Sequence, residues 1–123
     1  MTTIRYADLV DSVAGALQYI SYYHPADYIA HLARAYEREQ SPAAKDAIAQ
    51  ILTNSRMCAE GHRPICQDTG IVVVFLKIGM DVRWDTKLSV QEMVDEGVRR
   101  AYLLPENVLR ASIVADPQFE RKN

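Results

Sequence analysis

Chemistry concentrates in one short stretch, Gly61-His62-Arg63-Pro64-Ile65-Cys66-Gln67-Asp68-Thr69-Gly70, where a thiol, an amide, a carboxylate and a hydroxyl stand side by side. The Cys66 thiol has three physical readings there: a small buried hydrophobe, a nucleophile or a metal ligand. A nucleophile needs a base, and His62 lies four positions upstream, but Asp68 two positions on works against a thiolate by like-charge repulsion. A metal ion or cluster supplies the missing positive charge, keeps the sulfur deprotonated, and leaves Gln67 and Asp68 to hold a substrate beside it. Zinc has its own candidate set in Cys58, His62 and Cys66, spaced every four residues. Gly61 and Pro64 break the continuous helix that this spacing requires, and no fourth ligand is evident. A non-catalytic reading stays open beside these: a helical interaction module with Cys66 in its core and Gln67-Asp68 capping a turn.

These residues need elements to position them. Upstream, Tyr6, Leu9, Val10, Val13, Leu17 and Ile20 fall on one helical face, until His24-Pro25 ends the helix and starts another over about 26–39. In that second helix Tyr28, Leu32 and Tyr36 form a stripe expected to be core, with Arg34, Glu37 and Arg38 towards solvent. Tyr19, Tyr22 and Tyr23 are expected to pack their rings and hydrogen-bond their hydroxyls, and His24 and His31 to play equally structural parts. Ser41-Pro42 opens a third helix, continued by Ala44, Ala47, Ile48, Ile51, Leu52 and Ser55 and ended by Gly61 and Pro64. The chemical stretch therefore follows a helix terminus.

Downstream, residues 71–78 are apolar except Lys77 and rich in β-branched side chains, which predicts a central strand buried on both faces. Gly79-Met80-Asp81 then reads as a turn into a short strand, Val82-Arg83-Trp84, paired antiparallel. Ser89 and Glu92 form a capping box that starts a helix to about residue 104, with Val90, Met93, Val94, Val98, Ala101 and Tyr102 on its buried face and Pro105 as its stop. Residues 105–110 read as one more helical turn, and 111–115 as a further strand before Asp116-Pro117. The fold class expected is α+β: helix-rich, with a small, mainly antiparallel β-sheet containing residues 71–78.

Composition narrows the function. With 123 residues, 49% hydrophobic and 24% charged, the chain suits one globular domain, 1–123. Fourteen basic against sixteen acidic side chains, with no basic face, argue against a nucleic-acid surface. No signal peptide opens the sequence and no apolar run reaches the ~20 residues of a membrane span, so a soluble, cytoplasmic protein is expected. Cys58 and Cys66 are then expected as thiols or metal ligands rather than a disulfide. The last residues, Phe119 to Asn123, form no closing element, as in a fragment of something longer.

Arg63-Pro64-Ile65-Cys66-Gln67-Asp68-Thr69-Gly70 followed by an apolar run resembles the amino-terminal part of the class I, iron-sulfur fumarate hydratases, and the related tartrate dehydratase α subunits look similar. The Cys-Gln-Asp-Thr-Gly core is the specific part of the signal, and the resemblance runs from the helical front through Trp84 to Arg110. It implies that Cys66 is the first of three cysteines holding a four-iron four-sulfur (4Fe-4S) cluster with one iron open to substrate, the other two ligands lying outside this chain. It implies that Gln67 and Asp68 contact a dicarboxylate substrate, and that Asp68 is catalytic, moving the C3 proton together with a threonine from the carboxy-terminal region. The family's Asn-Leu-Arg arginine, which binds a substrate carboxylate, matches Arg110 in Asn107-Val108-Leu109-Arg110, with one extra residue between Asn and Leu; a surface arginine at a helix end is an equal alternative. The activity implied is reversible hydration of fumarate to (S)-malate, with tartrate dehydration as the alternative, in a full-length homodimer. Three cluster thiolates against two cysteines imply that this amino-terminal fragment is inactive alone.

Overall fold

A computed structural model describes residues 1–66, 70–104, 109, 114–116 and 121–122. Its elements in chain order are β1 (Thr2–Ile4), α1 (Tyr6–Tyr22), α2 (Ala26–Arg38), α3 (Pro42–Gly61), β2 (Val82–Trp84), α4 (Val90–Leu103), β3 (Val114–Asp116) and β4 (Arg121–Lys122). They divide into two compact units, one of Met1–Gln18 with Gln67–Asn123 and one of Tyr19–Cys66. Among the described residues no helix is long and apolar enough to cross a membrane.

The first unit is built on α4 and the early turns of α1. Val13 and Leu17 from α1 meet Val94, Val98 and Ala101 from α4, with Leu9, Val72, Val90, Tyr102 and Leu109 packed around them. Met93 and Val10 are fully buried, so the expected core face of α4 is the observed one. The helix starts where its capping box puts it: the Ser89 backbone N–H donates to Glu92 Oε2 at 2.7 Å while the Glu92 N–H donates to Ser89 Oγ at 3.2 Å. At α1 the Asp85 carboxylate, brought in from after β2, accepts the Tyr6 backbone N–H at 2.6 Å and satisfies one of the helix's open amides.

The helices touch closely only because Gly97 has no side chain. A Cβ there would lie 2.7 Å from Val13 Cβ and 2.9 Å from the Val10 carbonyl oxygen, one of them backbone that cannot yield.

The sheet differs from expectation. β1 and β2 pair in parallel, Thr2 opposite Val82 and Ile4 opposite Trp84, so the predicted small, mainly antiparallel sheet around residues 71–78 is not what forms. The strand at Val82–Trp84 was legible, but its partner is the amino terminus and not the segment before the turn. Residues 71–78 carry no strand, and among the described residues nothing hydrogen-bonds to them in a ladder. Ile71, Val73, Phe75, Leu76 and Ile78 are exposed, Phe75 at 92%. β propensity is a statement about fitting a paired, half-buried surface, and without the pairing it does not make a strand. A separate two-stranded antiparallel ribbon joins β3 to β4. The helical turn expected at 105–110 lies outside the described residues except for Leu109, and so does the expected strand over 111–113; β3 covers the end of that stretch.

In the second unit α2 packs along α3. Ser41 caps α3, its Oγ accepting the Ala44 N–H at 3.4 Å with Pro42 at the first helical position. The expected aromatic core stripe of α2 is corrected: α2 has no buried residue, and Tyr28 and Tyr36 are 41% and 38% exposed. Tyr36 instead lies under Lys45, whose Nζ sits 4.4 Å from the ring centroid. Ile20, predicted on the buried face of α1, is exposed as well. The buried groups of this unit are Tyr22 and Ser21 at the end of α1 and Ser55 and Cys58 on α3.

Two outcomes test the first unit. Gly97→Ala is expected to cost roughly 1–3 kcal/mol of stability by overpacking, read from denaturant unfolding. Glu96 takes hydrogen bonds from Arg99 and Arg100, which hold its carboxyl at about 2 against an ordinary 4.5. Because that value is lowered in the folded state, the stabilisation is full above the ordinary value of 4.5 and is lost as pH falls through about 2. Glu96→Gln is therefore expected to be less stable than the parent at pH 7, the difference closing towards pH 2 in parallel unfolding curves.

Candidate functional site

The chemical stretch begins where α3 stops. Gly61 is the last helical residue, and the reversal is made by His62, which adopts left-handed geometry at φ 48°, ψ 55°. That region costs a residue with a Cβ roughly 1–2 kcal/mol, so surrounding contacts must hold it. They do. The His62 and Arg63 backbone N–H groups both donate to the Cys58 carbonyl, the second at 3.1 Å, satisfying the helix end. The imidazole stacks on Tyr22 at 5.6 Å between centroids and meets the edge of Tyr23, whose hydroxyl lies 2.9 Å from Nε2. The tyrosines thus pack their rings and engage a hydroxyl as their positions predict, and His62 is a structural partner of Tyr23. His24 is structural too, stacked on Tyr28 with Nδ1 3.0 Å from Ser55 Oγ.

From there the chain is tied inward at consecutive residues. The Ile65 N–H donates to the Ser21 carbonyl at 2.8 Å, and the Ile65 carbonyl accepts from Asn54 Nδ2 at 3.2 Å. The Pro64 carbonyl lies 3.5 Å from Cys58 Sγ, which is also 3.6 Å from Asn54 Oδ1. The loop then delivers Cys66, which is exposed, while Cys58 is buried; neither is in a disulfide. Exposure removes the reading of Cys66 as a core hydrophobe. The left-handed turn takes the chain off the helix axis after Gly61, so Cys58, His62 and Cys66 do not share a helical face. Among the described residues no three His, Cys, Asp or Glu side chains converge as a metal site.

Of the predicted site residues, the structure places Cys66 at the end of this anchored loop; Gln67, Asp68 and Arg110 lie outside the described residues. Leu109, the neighbour of Arg110, packs against the core of the first unit. Sequence reasoning missed Asn54 and Ser21. Asn54 sits one helical turn before Cys58, a spacing that puts both on one face of α3, and that was the available signal. In the first unit a cavity of about 440 Å³ lies between residues 71–76 and α4, lined by Val72, Val90, Val94 and Val98 with Gln91 and Asp95. It includes no residue of the Cys66 loop.

An exposed cysteine presented after a helix end, in a Cys-Gln-Asp-Thr-Gly context, fits the hydro-lyase family that the motif resembles. The chain belongs to the fumarate hydratase family: the family model for fumarate hydratase (Fumerase) matches residues 10–123. It is also similar to the "Putative L(+)-tartrate dehydratase subunit alpha" of Methanocaldococcus jannaschii, at 34% identity over 104 residues, which is 85% of this chain and 36% of that relative. The chain thus spans about a third of the length of the curated relative it matches.

The left-handed residue gives a test that separates backbone from side chain. His62→Ala and His62→Gly both remove the imidazole, but only alanine keeps the Cβ penalty, so the alanine variant is expected to be less stable by about 1 kcal/mol in chemical denaturation.

Proposed function

We propose that this chain is the amino-terminal part of a hydro-lyase that interconverts fumarate and (S)-malate, and that Cys66 contributes one thiolate to a 4Fe-4S cluster completed by two cysteines from outside this chain. The observation that supports it is the exposed Cys66 thiol standing in the family-matched motif, on a loop whose preceding residues are hydrogen-bonded in place. A cubane held by protein needs cysteine thiolates, and the two cysteines here differ in their fitness for that role. Cys66 faces outward and fits; Cys58 is buried with its thiol against two oxygen acceptors and does not. One fitting thiolate is too few for this chain alone to retain a cluster.

When bound, such a cluster supplies one open, Lewis-acidic iron that polarises the C2 hydroxyl of the substrate. The chain's own residues bind and move protons around it. Gln67 donates its amide to a substrate carboxylate, and Arg110 grips a carboxylate through two charge-assisted hydrogen bonds. In the dehydration direction the Asp68 carboxylate acts in removing the C3 proton; the electron pair of that C–H bond forms the double bond, and the C2–O bond breaks to release hydroxide, which takes up one proton, balancing the one lost from C3, and leaves as water. Held at both ends, the dicarboxylate presents the C–H and C–O bonds in one orientation, which is where most of the rate advantage of positioning arises. The full-length enzyme works as a cytoplasmic homodimer in this proposal.

The similarity to a protein carrying a tartrate dehydratase name favours a second substrate, L(+)-tartrate, for the same chemistry. Steady-state rates of the full-length enzyme on malate and on tartrate decide between them; a large preference for tartrate reverses the choice. For the site itself, Cys66→Ser in the full-length protein, purified without oxygen, is expected to lose iron and at least ~100-fold of turnover together. Retention of both overturns the proposal. The 123-residue chain given iron and sulfide anaerobically is expected to hold no stable cluster absorption.

A further inference from the structure

Cys58 and Asn54 have no part in the proposed chemistry, yet they touch the two residues that immediately precede Cys66. Asn54 and Cys58 lie one turn apart on α3, so a single helix face offers both to the loop. Asn54 Nδ2 donates to the Ile65 carbonyl at 3.2 Å, and the Ile65 N–H is spent on Ser21 O at 2.8 Å, so both backbone polar groups of Ile65 point inward. The single thiol proton of Cys58 lies between the Pro64 carbonyl at 3.5 Å and Asn54 Oδ1 at 3.6 Å. The Asn54 amide turns its oxygen towards that thiol and its NH2 group towards the Ile65 carbonyl, so the two side chains fit one orientation together.

We propose that Asn54 and Cys58 are positioning residues, a latch on the Pro64 and Ile65 carbonyls that fixes where the backbone presents the Cys66 thiol, and that Cys58 does this as a protonated thiol and not as a ligand. The latch itself is a property of this chain; only what Cys66 binds rests on the cluster proposed above. The two contacts suit a sulfur that donates, because both atoms facing it are oxygen acceptors, and they leave it enclosed within the loop and not turned out towards a ligand. Asn54→Asp is the most informative change. It keeps the shape and replaces the donor aimed at the Ile65 carbonyl with an oxygen.

The test has two arms. In the 123-residue chain, amide hydrogen exchange at Ile65 is expected to quicken about fivefold or more in Asn54→Asp and Asn54→Ala, less in Cys58→Ala, and to return towards the parent rate in Cys58→Ser, which keeps a donor. In the full-length holoenzyme prepared without oxygen, Cys58→Ser is expected to keep the parent's iron content, and Asn54→Asp to change the electron paramagnetic resonance spectrum of the reduced cluster. Unchanged exchange in Asn54→Asp overturns the latch. Faster exchange with an unaltered spectrum overturns the positioning role and leaves only a structural one. Iron loss in Cys58→Ser makes Cys58 a ligand and overturns its assignment here. Should Cys66→Ser retain iron, the cluster proposal fails separately, and the exchange measurements still judge the latch.

Discussion

The left-handed turn at His62 is the constraint on which the rest of the site depends. A helix that ran one residue further would leave the next residues on its own axis and would have no use for the carbonyl at the end of α1. By reversing at His62, the chain comes back against Ser21 and against the face of α3 that carries Asn54 and Cys58. The conformation is costly for a residue with a Cβ, and it persists because two amides share the Cys58 carbonyl and an imidazole is fitted between Tyr22 and Tyr23. Glycine, the usual residue for such a turn, stands one position too early to make it, at Gly61.

This arrangement divides labour between two cysteines that residue type alone cannot tell apart. One sulfur is enclosed and hydrogen-bonded to the loop; the other is carried by the loop to the surface. The difference is one of backbone path, set by residues between them that do no chemistry. It also shows how a loop can hold an exposed side chain in place: both backbone polar groups of Ile65, the residue just before Cys66, are paired.

Local signals were legible in the sequence and non-local ones were not. Ser89 with Glu92, and Ser41 with Pro42, each name a helix start through contacts spanning three residues, and the helices begin there. The buried face of α4 follows from its period, and the Cys-Gln-Asp-Thr-Gly motif pointed to the family that the whole-chain comparison bears out. The parallel pairing of β1 with β2 was beyond reach, because three residues at the amino terminus carry too little pattern to name a partner some eighty positions away. Period also misled at α2, where Tyr28, Leu32 and Tyr36 do align on one face but a helix packed chiefly along α3 leaves that face half in water. In the site, Cys66 could be chosen from its neighbours, whereas Ser21 acts through its backbone carbonyl and so leaves no mark in residue identity.

Residues 71–78 carry a cost of their own. They combine β-branched and aromatic side chains, no proline and a single charge at Lys77, and most of them stand open to water. Such a segment is the kind that recruits its like from neighbouring molecules, stacking backbone to backbone into aggregates. Lys77 is the one charged residue on it, and a row of like ammonium groups opposes such stacking.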